Sequence, residues 1–296
     1  MTFKQLIRGV GYLAVGVLSY FGARLIVSAL FGRVSAPPSE RPIAADRKLT
    51  PEEIAEKARA VCVLIECSWT EEDLTVDDAG GGSGTGVIVE ADGGELKILT
   101  NLHVLQLENV AKADFAGGDA PELKHYGLSV TFSNGQSAKV RRLLVNPHLK
   151  DFAVLEVNRA GWSSDLLPLS KDVPRQGSRV FAMGNPHGLK FTFTQGTISG
   201  HRRYASPSGQ PCDLLQTDTA INPGNSGGPL LDEYARIVGI NTLTLGRDSG
   251  AQGLNCAITS EEIVRSGQQD GWTELPTSAR QLGQAAYNLF QSGTRK

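Results

Sequence analysis

The sequence has few cysteines and no excess of charge of either sign. Its four cysteines, at positions 62, 67, 212 and 256, are too few for a disulfide framework in 296 residues, and they contain no C-x-x-C pair. This spacing argues against a zinc site and a thioredoxin-type redox pair. It favours small buried side chains, with a disulfide bridge, Cys62–Cys67 or another pairing, as the alternative. The chain has 29 basic and 31 acidic residues, so it has no strong net positive charge that would attract nucleic acid. We therefore expect no nucleic-acid partner.

Long helical periods and internal repeats are missing from the central part of the chain, whereas glycine is abundant. The 34 glycines are about 11% of the residues, against a usual value of roughly 7%. Short β-rich runs separated by turn residues fill about 200 residues, which predicts a sandwich or closed barrels. The runs are 61–67, 85–90, 96–100, 128–132, 138–145, 152–157, 179–184, 191–199, 214–218, 230–244 and 253–258.

The first residues differ from the rest in being strongly apolar. Gly9–Gly32 contains one charged residue, Arg24, and 24 helical residues would span roughly 36 Å, enough to cross a bilayer. We expect residues 1–34 to form a single-pass membrane anchor, with a cleaved signal peptide as the alternative. The proline-containing residues 35–48 then form an extended linker.

Apart from the anchor, three helices are predicted outside the β-rich strands, and one of them is a short helical stretch after Ser260. The run Thr50-Pro51-Glu52-Glu53 has the form of a capping box with proline at the first helical position, and predicts a helix to about Ala60. Ser278–Gln291 predicts a short amphipathic helix near the end of the chain.

The segment with the clearest chemical potential is 222–230, Asn-Pro-Gly-Asn-Ser-Gly-Gly-Pro-Leu. Three glycines and two prolines around Ser226 favour a tight turn that points backbone N–H groups into one concavity, as an oxyanion hole requires. Gly224-x-Ser226-x-Gly228 also matches the nucleophile elbow of α/β-hydrolases. That elbow needs a helix after the serine, whereas a strand-like run follows here.

A serine nucleophile needs a base and a carboxylate that orients it. Of the five histidines, His103 follows the strand-like run 96–100, whereas the others lie in polar or Gly/Pro-rich loops. Asp151 directly precedes the run 152–157, where a carboxylate at a strand edge is the simpler interpretation. Spacing alone leaves the triad open.

Taken together, several blocks resemble the trypsin-like serine proteases, and specifically the HtrA/DegP/DegS family. The blocks occur in the family's order over about residues 50–262, and the segment around Ser226 is the most specific. They are GSGTGVIVE (82–90), LTNLHVL (99–105), DFAVLEV (151–157), AMGNPHGL (182–189), TQGTISG (194–200), QTDTAINPGNSGGPLLD (216–232), VGINTLT (238–244) and GLNCAI (253–258).

The resemblance implies an all-β fold of two six-stranded antiparallel β-barrels, with the active site between them. By position, it implies that His103 is the general base, Asp151 the carboxylate that orients it and Ser226 the nucleophile. It places the oxyanion hole at the N–H groups of Gly224 and Ser226, aided by Asn225. This chemistry requires no metal and no cofactor.

Specificity and organisation are also implied by the resemblance. Ala220 stands where an acid would select Lys or Arg, so we expect an aliphatic preference, with Thr242, Leu243 and Thr244 lining the pocket. The protease domain is expected at 49–262. Residues 263–296 form a partly helical tail, too short for the PDZ domains usual in the family.

The family resemblance implies unfolded or damaged proteins and peptides as substrates. It also suggests a homotrimer and, with the anchor, a protease domain outside the cytoplasm, on the periplasmic side in a bacterium. The alternative function is a catalytically idle protease-fold module that binds peptides or senses stress.

Overall fold

The computed structural model describes residues 47–71, 80–112, 123–186, 189–206, 208–244 and 253–293. The predicted membrane segment 1–34, and all but the last two residues of the predicted linker 35–48, lie outside this part of the chain. Among the described helices, none has the length and apolar content needed to cross a bilayer.

Helix α1 (Pro51–Val61) begins as its sequence predicts. The Thr50 N–H donates to Glu53 Oε2 at 2.8 Å, and the Glu53 N–H donates to Thr50 Oγ1 at 3.3 Å. The capping box is therefore formed, because each residue satisfies a backbone donor that the helix leaves free. The buried face of the helix consists of Ile54, Ala58 and Val61.

Six antiparallel strands form the first barrel. Their order is β5-β4-β1-β2-β3-β6, and β5 also pairs with β6, so that the sheet closes on itself. The strands are β1 (Cys62–Glu71), β2 (Gly80–Asp92), β3 (Glu95–Thr100), β4 (Leu123–Phe132), β5 (Ser137–Val145) and β6 (Ala153–Asn158).

The second barrel is closed in the order β10-β11-β12-β9-β8-β7. Its strands are β7 (Arg179–Gly184), β8 (Thr192–Ala205), β9 (Pro211–Thr217), β10 (Pro229–Leu231), β11 (Ile237–Thr244) and β12 (Asn255–Thr259). Small and branched apolar side chains fill its interior, namely Val180, Ala182, Ile198, Leu215, Leu230, Val238 and Ala257. The prediction of an all-β fold built on closed barrels is confirmed.

The end of the described chain returns from the second barrel to the first. Helix α3 (Ser260–Gln269) follows β12 directly. Strand β13 (Thr273–Leu275), which the sequence did not predict, then pairs with β5 of the first barrel. The predicted C-terminal helix is present as α4 (Ala279–Gly293).

Two local predictions are corrected by the structure. The run 230–244 is not one strand, because a turn separates β10 from β11. Asp232 Oδ1 accepts the N–H groups of Tyr234 and Arg236, both at 2.9 Å, and Ala235 takes a left-handed φ of 56°. The two hydrogen bonds and the left-handed residue reverse the chain and make a hairpin.

The second correction concerns residues 108–127, for which the sequence, with Gly117 and Gly118 near the middle, predicts a long surface loop. Its described parts are most of helix α2 (Leu107–Lys112) and the start of β4. They are ordered by apolar packing against α4, in a buried cluster of Val110, Ala111, Leu123 and Ala286.

Candidate active site

The pairing of β3 with β6 brings His103 and Asp151 together. These strands are antiparallel, and Thr100 at the end of β3 lies opposite Ala153 at the start of β6. The residues after β3 and before β6 therefore meet at one end of the barrel. His103 begins a short 3₁₀ turn (His103–Leu105) at this end.

The Asp151 carboxylate accepts hydrogen bonds from three donor groups. His103 Nδ1 lies 3.0 Å from Oδ1 and 2.9 Å from Oδ2, and the backbone N–H of His103 donates to Oδ1 at 3.0 Å. The Thr242 hydroxyl donates to Oδ2 from the second barrel. With Nδ1 bonded to the carboxylate, the imidazole carries its proton there and keeps Nε2 as an acceptor.

The surroundings of His103 have opposing effects on its pKa. Burial lowers the pKa, whereas the charge of Asp151 and its hydrogen bond raise it, and the balance lies above the ordinary histidine value. The side chain is nevertheless 47% exposed. The imidazole is therefore open to an incoming group while Asp151 fixes its orientation.

Ser226 lies in a turn between β9 and β10 whose backbone only glycine accommodates easily. Gly224 and Gly227 have φ angles of 103° and 81°. A Cβ at Gly224 would lie 2.3 Å from Asn185 O. The Gly227 N–H donates to Asn241 O at 2.8 Å, which ties the turn to β11.

The Ser226 hydroxyl faces the same residue that supports Asp151. Its Oγ donates to the Thr242 carbonyl oxygen at 3.2 Å. Among the described residues, His103 Nε2 has no hydrogen-bond partner, so the serine and the imidazole are not yet joined. In unliganded enzymes such contacts are often long and form only with substrate.

Two backbone donors beside Ser226 are uncommitted. Within the described part of the chain, neither the Gly224 N–H nor the Ser226 N–H donates to a protein acceptor. Asn225 differs from both, because its N–H donates to Asn222 O at 2.9 Å. The two free donors have the chemical character that an oxyanion hole requires.

Thr85 of the first barrel holds this turn in place. Its hydroxyl donates to Gly224 O at 2.6 Å and its N–H donates to Ser226 O at 2.8 Å. The same hydroxyl accepts the backbone N–H of Asn185 at 3.0 Å and its Nδ2 at 3.1 Å. Thr85 and Asn185 are almost fully buried, so these hydrogen bonds form a clamp between the barrels that is shielded from water. Nothing in the sequence indicated this clamp.

The residues predicted to line the substrate pocket take different positions. Ala220 is exposed, and its carbonyl oxygen accepts the Thr194 hydroxyl at 3.0 Å. Leu243 and Thr244 are partly buried, and the Thr244 hydroxyl donates to Asn255 Oδ1 at 2.8 Å. Thr242 is buried and bonded to Asp151, a role that its position in the sequence did not indicate.

Neither metal nor disulfide chemistry is evident in the described residues. No group of three or more His, Cys, Asp or Glu side chains there could hold a metal ion. The four cysteines are free and buried, so the alternative of a Cys62–Cys67 bridge is wrong. Burial raises the pKa of Cys67 and Cys256 to about 11 and that of Cys212 to about 12, which keeps these thiols protonated and unreactive.

Two closed barrels with a histidine, an aspartate and a serine at their junction are the arrangement that the resemblance to trypsin-like serine proteases implies. Comparison with known families supports the same class of protein. A family model described as the trypsin-like peptidase domain matches residues 84–240. The chain belongs to this family.

Comparison with curated proteins indicates a narrower group within this family. The chain is 35% identical over 230 residues to the serine protease Do-like HtrA of Bacillus subtilis, covering 74% of this chain and 47% of that protein. It is 33% identical over 259 residues to the serine protease PepD of Mycobacterium tuberculosis, covering 79% and 51%. The chain thus groups with HtrA-type serine proteases, and it spans about half the length of the curated relatives that it matches.

A solved structure supports the fold independently. The active form of the Rv3671c protease from M. tuberculosis matches with a TM-score of 0.57 at 20% identity, covering 84% of this chain and 100% of that one. At this identity the likeness establishes the architecture alone.

Proposed function

We propose that the chain is a serine endopeptidase of the HtrA type that hydrolyses peptide bonds in unfolded or damaged proteins. The observation that carries the proposal is the set of contacts around the Asp151 carboxylate. This group orients His103 through Nδ1 and is itself held by Thr242, whose carbonyl oxygen accepts the Ser226 hydroxyl. Four residues from separate segments of the chain thus converge on the arrangement that acyl transfer requires.

In this mechanism His103 Nε2 accepts the Ser226 proton as Oγ attacks the peptide carbonyl. The same proton then passes to the leaving amine, and a water molecule hydrolyses the acyl-enzyme in a second round. Asp151 keeps the imidazole in the required tautomer and stabilises the imidazolium. The N–H groups of Gly224 and Ser226 stabilise the negative oxygen, because neither has a competing acceptor among the described residues.

We further propose a preference for aliphatic side chains at the position before the cleaved bond, since Ala220 supplies no negative charge for Lys or Arg. We also retain the proposal of a membrane anchor at 1–34 with the protease domain outside the cytoplasm, for which the apolar run Gly9–Gly32 is the support.

The test compares the wild-type chain with Ser226→Ala and with Ser164→Ala, a control at an exposed serine. A fluorophosphonate probe, an unfolded protein such as casein, and peptides with aliphatic or basic residues before the scissile bond serve as reagents. We expect labelling and cleavage in the wild type and the control, with loss by a factor of up to ~10⁶ in Ser226→Ala.

Three outcomes would count against the proposal. Full activity in Ser226→Ala refutes the assignment of the nucleophile. A preference for arginine peptides refutes the assignment of the pocket. Peptide binding without labelling or cleavage by the wild type would favour the idle peptide-binding module.

A further inference from the structure

Lys150, the residue directly before Asp151, is buried, and its charged end is paired with residues of helix α3. The side chain of Lys150 is 9% exposed, and its Nζ lies 3.0 Å from Glu262 Oε1, where the Glu262 side chain is fully buried. Nζ also donates to Ser266 Oγ at 2.8 Å and lies 3.4 Å from Asp270 Oδ2. All three partners lie on α3 or at its end.

A buried ammonium is costly unless it is paired and hydrogen-bonded, so its position is strongly determined. Glu262 is equally fixed, because its Oε2 accepts the Asp213 N–H at 3.1 Å and also contacts Arg265. Helix α3 therefore offers Lys150 a rigid acceptor that is attached to the second barrel.

The backbone around Lys150 needs such support. Leu149 has a left-handed φ of 53°, a conformation that is unfavourable for a branched residue. The Phe152 N–H donates to Lys150 O at 2.7 Å, which closes a tight three-residue turn with Asp151 at its centre. Lys150 and Asp151 are adjacent in this turn, so contacts that hold the Lys150 side chain also restrain the backbone that carries Asp151.

We propose that Lys150 is a positioning residue, which uses its buried contacts with Glu262 and Ser266 to hold the Asp151 carboxylate against His103. The inference rests on the proposed function, in which Asp151 orients the general base. It adds a connection from the catalytic loop of the first barrel to helix α3 behind the second.

Lys150→Met is the informative substitution. It keeps an unbranched side chain of similar length, and Glu262 retains Arg265, Ser266 and the Asp213 N–H as partners. Asp270 also keeps a donor, Asn146 Nδ2 at 3.1 Å, so neither carboxylate is left without a hydrogen bond. Lys48→Met is the matched control, because Lys48 also pairs with a glutamate, Glu233 at 2.6 Å, but has a side chain that is 62% exposed.

We expect Lys150→Met to lower kcat by about 10- to 100-fold, the effect of misplacing a catalytic group by up to ~1 Å, with little change in KM. The Asp151→Asn variant sets the reference, since loss of the orienting carboxylate costs ~10⁴-fold in a related triad. Added to Asp151→Asn, Lys150→Met should cause no further fall in kcat, because its effect passes through that carboxylate.

A second readout does not require turnover. In the inactive Ser226→Ala background, NMR titration gives the pKa of His103, which the neighbouring Asp151 carboxylate raises. Lys150→Met should lower this pKa and weaken the signal of the Nδ1 proton, whereas Lys48→Met should change neither. If Lys150→Met does not fold, Lys150→Gln keeps a neutral donor, and the same changes are expected at smaller size.

The outcomes separate this inference from the proposed function. An unchanged His103 pKa in a folded Lys150 variant overturns the inference, as does a fall in kcat that is equally large in the Asp151→Asn background. If the wild type neither labels nor cleaves, the proposed function fails, while the NMR titration still decides whether Lys150 controls the geometry of Asp151 and His103.

Discussion

The Thr85 hydroxyl joins the two barrels directly beside Ser226, so a Thr85→Val substitution tests whether this clamp supports both stability and catalysis. Valine has nearly the same shape but removes three hydrogen bonds. These are the bond to Gly224 O at 2.6 Å and the bonds from Asn185 N and Nδ2 at 3.0 and 3.1 Å.

The structure also sets the expected magnitude. Leaving a buried polar group without any partner costs about 1–3 kcal/mol. Here each group keeps one longer contact, since Asn185 N–H also donates to Gly224 O at 3.3 Å and Asn185 Nδ2 also donates to Val63 O at 3.3 Å. The lower limit of this cost, about 1 kcal/mol, therefore applies to each of the three bonds, and the free energy of unfolding should fall by about 3 kcal/mol.

For a domain of this size, such a loss lowers the Tm by roughly 6–12 °C, which calorimetry measures directly. At a temperature where both proteins are folded, kcat should also fall, because Gly224 sets the path of the oxyanion donors. The fall should be smaller than the ~10²- to 10³-fold effect of deleting a donor outright.

Thr131→Val is the control, since in the described part of the chain the Thr131 hydroxyl forms a hydrogen bond with the exposed Ser137 hydroxyl alone, at 3.0 Å. Its effect should stay within about 0.5 kcal/mol. A Thr85→Val protein with the Tm and kcat of the wild type would refute the reasoning, because the clamp would then contribute nothing to either property.

Two further predictions concern titration and thiol chemistry. Asp151 raises the pKa of His103, and only the neutral imidazole acts as a base. We therefore expect kcat/KM to fall as the pH drops through this raised pKa. Histidine ordinarily titrates between pH 5 and 8, so a flat profile over this range would contradict the assignment of His103 as the base. All four cysteines are buried, and burial raises their pKa values. A disulfide reagent should therefore modify none of them rapidly in the native protein and all of them in denaturant. Rapid labelling of the native protein would contradict the burial of the thiols.

The features that the sequence predicted well are those that local chemistry decides. The helix start at Thr50 depends on a residue three positions away, and the strands depend on alternating and β-branched residues between turns. Glycine positions near Ser226 were also informative, because the left-handed φ at Gly224 and Gly227 excludes most other residues.

The features that sequence reasoning missed depend on contacts between distant segments. The Thr242 hydroxyl bonds Asp151 across 91 positions, and Lys150 bonds Glu262 across 112. Nothing in the residues next to Thr242 or Lys150 distinguishes these side chains from ordinary strand and loop residues. Strand β13 escaped prediction for the same reason, since three residues acquire a strand conformation only by pairing with β5.

The contacts of Thr85, Thr242 and Lys150 share one property, which is that each joins a proposed catalytic segment of one barrel to the other barrel or to its attached helix. Thr85 of the first barrel holds the Ser226 turn of the second, and Thr242 of the second holds Asp151 of the first. Lys150 ties the Asp151 loop to α3. Because Asp151 and Ser226 are each held partly from the opposite side, and neither barrel contains all three proposed catalytic residues, we expect the geometry needed for proton transfer to exist only while the two barrels are docked.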